Sequence, residues 1–179
     1  SNSITENDLI LVSRDIGAHG ATIFAAREGM DLDTSLKSDC ASLYPQVKAL
    51  IDSGIKITAL RDATRGGVSA VLNEWAKQSD ICIEIEEEKI PICDEVKGIC
   101  EMLGFEAMSL ANEGTFVLAI PNEDALKALE VLQTFEYSKT ASIIGKVTQQ
   151  YEQRVILNSQ WGTKRFLDVP TGELLPRIC

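Results

Sequence analysis

The sequence predicts an α/β fold, a sandwich in which helices pack on a mixed β-sheet, and two features carry that prediction. Short apolar runs of strand length alternate with helical stripes early in the chain, whereas the runs after residue 140 are all strand-like. Alternation followed by clustered strands argues for a mixed sheet rather than a purely parallel one.

In chain order, Asp8 to Arg14 is the first strand-length run. It leads into Ile16-Gly17-Ala18-His19-Gly20 and an alanine-rich helical stretch to Gly29. Pro45 suits the first turn of a helix whose face is Val47, Leu50 and Ile51, and Gly54 supplies its stop. A strand is expected over 56–60, and then the turn Arg61-Asp62-Ala63-Thr64-Arg65-Gly66-Gly67. Val68, Val71, Leu72 and Trp75 follow at i, i+3, i+4 and i+7 and mark an amphipathic helix. Ile81, Ile83 and Ile85 alternate with Cys82, Glu84 and Glu86, a strand with one buried face and one wet or covered face. Val96, Ile99, Cys100 and Leu103 form the next stripe, closed by Gly104, which places Cys100 in the core. After Ala111-Asn112-Glu113-Gly114 comes a strand over 115–120. Asn122 is expected to cap a helix carrying Leu126, Leu129 and Leu132, and the runs 141–147, 154–157 and 165–169 close the sheet. Residues 1–7 read as a cloning remnant or linker, 8–168 as the folded domain and 169–179 as a flexible tail.

The chain has 179 residues, 45% hydrophobic and 25% charged, enough for one generous domain with a substantial core. Its net charge of −10 would repel a phosphate backbone, so nucleic acid is excluded as a partner. No apolar run approaches the ~20 residues of a membrane span, and no signal peptide opens the chain, so a cytoplasmic location is expected. Five cysteines without CxxC spacing, beside a single histidine, do not make a zinc set and read as reduced thiols.

Four places have the residue types for chemistry. Gly66 and Gly67 at a helix start let backbone amides approach an oxyanion, with the Thr64 hydroxyl and Arg65 cation beside them. The same turn reads equally as a tight connection capped by Asp62 and Thr64, with Arg65 in solvent. Glu113, in a turn before an apolar strand, fits a general base or a plain surface turn, and His19 fits an acid/base group or a capping group. The chain ends on Cys179, beyond two prolines and a glycine that favour a mobile arm. Ten extended residues span at most roughly 33–36 Å, so such a thiol is a tethered nucleophile.

The motifs Ile16-Gly17-Ala18-His19-Gly20, Ser38-Asp39-Cys40, Arg61 to Gly67, Ala111-Asn112-Glu113-Gly114 and Pro176-Arg177-Ile178-Cys179 together resemble the C-terminal half of the HypE family of hydrogenase maturation proteins. That family is related to aminoimidazole ribonucleotide (AIR) synthetase and selenophosphate synthetase. The resemblance implies the AIR synthetase C-terminal domain fold and a separate N-terminal domain supplying most of the ATP and Mg2+ site and a homodimer interface. It implies that Cys179 accepts a carbamoyl group from a HypF-type carbamoyltransferase. ATP-dependent dehydration would then give a thiocyanate whose nitrile passes to iron held by a HypC–HypD complex. Glu113 is the candidate base; Asp62, Thr64, Arg65, Gly66, Gly67 and His19 are candidates for binding phosphate or the tail. Ala18 departs from the pattern, which has an aspartate there. Alone, the chain is expected to be inactive and to hold no cofactor or metal. The alternatives are a non-catalytic carrier modified on its tail, or another ATP-dependent enzyme of the AIR synthase type.

Overall fold

The computed structural model describes residues 3–29 and 36–169. They form β1 (Leu9–Val12), α1 (Ala18–Arg27), α2 (Tyr44–Asp52), β2 (Ala59–Asp62), α3 (Gly67–Ser79), β3 (Cys82–Glu86), α4 (Asp94–Leu103), β4 (Phe116–Ile120), α5 (Asn122–Gln133), β5 (Ser142–Thr148), β6 (Arg154–Asn158) and β7 (Lys164–Phe166). The strands make one sheet in the order β2-β4-β1-β5-β3-β6-β7. β3 and β6 run parallel and every other neighbouring pair is antiparallel, the mixed sheet expected.

The period-2 pattern of the strands sorts their side chains to two faces. Ile10, Val12, Val117, Ala119, Ile83, Ile85, Val155 and Leu157 share a core with Val68, Val71, Leu72 and Trp75 of α3. Leu11, Phe116, Leu118 and Ile120 face the opposite way, onto Leu50 of α2 and Ala125, Ala128 and Leu132 of α5. α1 and α4 form a third cluster with each other: Ala18, Ala21 and Ala25 meet Val96, Ile99 and Cys100, and the rings of Phe24 and Phe105 sit 4.4 Å apart. The small alanine face of α1 permits that close approach. Ala18, where the family pattern has an aspartate, is buried in this cluster.

Three local expectations are corrected and one left open is decided. The strand expected over 56–60 is instead Ala59–Asp62, because its register is set by β4, whose Ala119 carbonyl takes the Thr58 amide just before the strand. Asn122 is the first residue of α5 rather than its cap; Pro121, extended at φ −52° and ψ 141°, holds the cap position. The second face of β3, expected to be wet or covered, is covered: Cys82 and Glu84 are buried along with the isoleucines. Glu84 keeps its charge company there, with Lys164 Nζ at 3.3 Å. Finally, residues 3–7 pack onto the domain rather than leading away from it. Ile4 joins the α3-side core, and the Ser3 amide donates to the Thr58 carbonyl at 3.1 Å.

Candidate functional site

The segments that precede α1, α3 and β4 meet on one buried side chain, Asn112. Its Oδ1 accepts the Gly17 amide at 2.7 Å, and its Nδ2 donates to the carbonyls of Ala63 at 2.9 Å and Leu110 at 3.0 Å. Fully buried, it uses both ends of its amide to join the approach to α1, the Ala63–Gly67 turn and the Glu113 turn.

The Ala63–Gly67 turn is positioned by packing against the same region. Gly66 and Gly67 have φ of +72° and +61°, the left-handed region that favours glycine. A β-carbon on Gly67 would lie 2.5 Å from the carbonyl oxygens of both Met108 and Leu110, so no other residue fits there without moving backbone. Gly66 caps α3 without any side-chain hydrogen bond. Neither Asp62 nor Thr64 therefore plays the capping part that the sequence allowed them. Asp62 ends β2 and is exposed, as is Arg65, while Thr64 is half-buried. Arg61 turns away to pair with Glu74.

A short strap, Ser38–Cys40, lies across the Glu113 turn. The Asp39 carboxylate is 3% exposed and accepts three hydrogen bonds: from the Glu113 amide at 3.0 Å, the Gly114 amide at 2.9 Å and the Thr115 hydroxyl at 2.8 Å. Strap and turn touch so closely that a β-carbon on Gly114 would sit 1.8 Å from the Asp39 carbonyl oxygen. The Glu113 side chain itself is exposed, on a backbone that is clasped from beneath. The preceding residue of the strap, Ser38, lies with its hydroxyl 2.9 Å from His19 Nδ1. His19 is thus tied to the strap, and it does not cap α1, which starts at Gly17 without a side-chain cap.

Cys179 lies outside the described residues, as do residues 170–178. The chain leading toward it is held firmly as far as Asp168. Leu167 is buried, Asn73 Nδ2 donates to its carbonyl at 2.8 Å, and the Ser69 hydroxyl donates to the Asp168 carbonyl at 2.9 Å. Ser69 and Asn73 belong to the first two turns of α3, the helix that the two-glycine turn begins.

The other four cysteines are free thiols, with Cys40 exposed and Cys82 and Cys100 buried. Burial, reinforced by Glu101 and Glu106, pushes the Cys100 thiol up to about 11. Burial likewise raises the Cys93 thiol, with Glu95 and Asp15 adding to it against a backbone hydrogen bond from Val96. Thiols held protonated are poor nucleophiles. Among the described residues no cluster of three or more His, Cys, Asp or Glu side chains could hold a metal, and no helix is long and apolar enough to cross a membrane.

The sequence singled out Glu113, His19 and the two-glycine turn as candidates but not the residues that hold them. Asp39 appeared only inside a motif, Asn112 only as a flank, and Ser69 and Asn73 not at all. The one available signal was the polar type of Asn112 between the apolar 107–111 segment and β4.

A mixed sheet with helices packed on both faces, whose two-glycine turn, Glu113 turn and approach to α1 are joined by one asparagine, defines an α/β domain. More particularly, the chain belongs to the family of AIR synthase related protein, C-terminal domain, whose model matches residues 5–158. It is 44% identical over its whole length to carbamoyl dehydratase HypE of Escherichia coli K12, covering 52% of that protein. It is 43% identical over 99% of its length to a putative hydrogenase expression/formation protein of Methanocaldococcus jannaschii, again covering 52%. Two solved structures are similar to it. A HypE–HypF complex matches with TM-score 0.88 and 42% identity, over 93% of this chain and 54% of the other. HypE in complex with ATP matches with TM-score 0.93 and 34% identity, over 99% and 54%. The chain spans about half the length of the curated relatives it matches.

Proposed function

We propose that this chain is the C-terminal half of an ATP-dependent carbamoyl dehydratase that makes the cyanide ligand for nickel–iron hydrogenase. Cys179 is the acceptor: its thiolate attacks the carbamoyl carbon presented by a HypF-type carbamoyltransferase and displaces the group that activates it there, forming the S-thiocarbamate. ATP phosphorylates the carbamoyl oxygen, turning it into a leaving group. Glu113 takes one of the nitrogen's two protons and the other passes to solvent as phosphate departs, leaving the S-cyanide. The nitrile then passes to iron on a HypC–HypD complex.

The observation that carries this reading is the gathering of its parts on Asn112 and α3. An exposed carboxylate on a clasped turn, a start of α3 with no side-chain cap beside Arg65, and the root of the Cys179 tail all lie in segments joined by direct hydrogen bonds. Uncapped helix-start amides with a nearby cation suit a phosphoryl group or the tail's carbamoyl oxygen. The solved HypE complexes with HypF and with ATP support the same partner and co-substrate for this chain. The described residues offer magnesium no donor set, so no step here is routed through it. Magnesium and most of the ATP contacts, and a homodimer interface, are assigned to the half of the relatives that this chain does not span. The chain by itself is then inactive.

The test is peptide mass spectrometry after incubation with a HypF-type carbamoyltransferase, carbamoyl phosphate and ATP, with and without the other half. A carbamoyl adduct on Cys179 alone, converted to cyanide only when the other half is added, is the expected result. Adducts spread over the exposed cysteines, or none on Cys179 with the other half present, would overturn the proposal.

A further inference from the structure

We propose that Ser38 is a positioning residue that fixes His19 as its Nε2–H tautomer, so that consecutive residues of one strap orient both acid/base groups of the site. This rests on the reading of Glu113 as the base. Asp39 holds the backbone of Glu113 through the amides of Glu113 and Gly114 and the Thr115 hydroxyl, while its neighbour Ser38 holds the ring of His19. The first contact leaves the Glu113 carboxylate exposed as an acceptor. The second decides what His19 offers beside it.

The direction of the Ser38–His19 bond follows from counting the hydroxyl's capacities. A serine hydroxyl has one proton to donate and two lone pairs to accept with. Ser38 Oγ already accepts the Cys40 amide at 3.2 Å. Its proton therefore needs an acceptor, and among the described residues the one within reach is His19 Nδ1 at 2.9 Å. A neutral imidazole that accepts at Nδ1 carries its hydrogen on Nε2. Nε2 has no hydrogen-bond partner among the described residues, so this N–H is available to a ligand.

An N–H donor joined through the same strap to a carboxylate base suits the dehydration. As Glu113 removes the nitrogen's proton, the Nε2–H hydrogen-bonds the oxygen that leaves as phosphate, and no net charge is added to the site. The opposite tautomer would present an acceptor to an anionic group and repel it.

His19 is the single histidine of the chain, so nitrogen NMR of the histidine-labelled 179-residue protein reports this ring alone. The spectrum is taken at about pH 9, above the ~6.5 of an ordinary imidazole. The expected result is an Nε2–H tautomer with Nδ1 accepting a hydrogen bond. Ser38→Ala should lower the tautomer ratio by about 2- to 12-fold, the worth of one net hydrogen bond, and Ser38→Thr should restore it. A dominant Nδ1–H form in the parent, or a ratio that Ser38→Ala leaves unchanged, overturns the assignment.

Activity of the chain joined to its missing half gives the second arm. Glutamine can place an amide N–H where Nε2–H lies and asparagine cannot, so His19→Gln should keep most of the dehydration rate. His19→Asn should lose on the order of 10²-fold. Equal losses in both overturn the donor role. If Glu113→Gln leaves dehydration intact, the reading of Glu113 fails, and the NMR result still judges Ser38 separately.

Discussion

Replacing Asp39 by alanine removes the clasp beneath Glu113 and gives the sharpest test of how this site is held. Three donors lose their acceptor at once, at 2.8, 2.9 and 3.0 Å. Two of them, the Gly114 amide and the Thr115 hydroxyl, belong to buried residues. Leaving a buried donor unsatisfied costs about 1–3 kcal/mol, so these two give roughly 2–6 kcal/mol. Relaxation of the strap lets water reach part of the gap and favours the lower half of that range, about 2–4 kcal/mol. Urea denaturation measures the total. Amide hydrogen exchange locates it: the Glu113 and Gly114 amides should lose protection, while Leu118 in the middle of β4 keeps what the remaining global stability allows. A loss below about 1 kcal/mol with both amides still protected would refute the claim that the carboxylate organises the turn.

Other outcomes follow from the same geometry. Asn112→Leu, close in shape but without the side-chain amide, should cost about 2 kcal/mol or more in urea melts, because it orphans the Gly17 amide and the Leu110 carbonyl while the Ala63 carbonyl keeps the residue-112 amide. Gly114→Ala should loosen the strap as Asp39→Ala does, since its β-carbon would fall on the Asp39 carbonyl, and accelerated exchange of the Glu113 amide reads it out. Cys100 has a folded value raised from 9.0 to about 11, so the protonated thiol is favoured in the native state. Its contribution to stability is full below pH 9 and is lost as pH rises toward 11, and Cys100→Ala should flatten that limb of a stability–pH profile. By contrast, Glu74→Gln, which breaks an exposed ion pair with Arg61, should change stability by less than about 1 kcal/mol.

Which parts of this molecule can be read from sequence depends on whether a residue's neighbours are near it in the chain. The buried stripe of α3 was legible because Val68, Val71, Leu72 and Trp75 repeat within one helix. Ser69 and Asn73 on the same helix are buried too, yet nothing local says so. They are covered by residues 167–168, nearly a hundred positions away, and their polarity is explained only by the carbonyls that arrive there. Asp39 is alike: an acid in a polar stretch reads as solvated until the Glu113 turn is seen to press on it. The β3 alternation was correct as a pattern, but which of the wet or covered alternatives held for its second face depended on residues far along the chain, such as Thr148 and Lys164 at Glu84. Glu113 and the glycine pair were found because turn residues next to strongly periodic segments stand out. The partners that fix them were hidden by distance along the chain.

The placement of β1 also constrains the order of events when the chain is made. It precedes the other six strands of this sheet in the chain and lies inside the sheet, with Leu9 opposite Ile120 on one side and Lys146 on the other. Neither partner exists until more than a hundred further residues have been added. The central strand therefore waits on the ribosome with both edges open, and it is an apolar segment exposed to wrong pairing. Loop closure over such separations is slow, and folding in milliseconds to seconds is expected. α3, by contrast, is helical by local pattern and is complete early. Nascent chains stopped between α3 and β4 should engage chaperones, and release should come only after β5 has emerged.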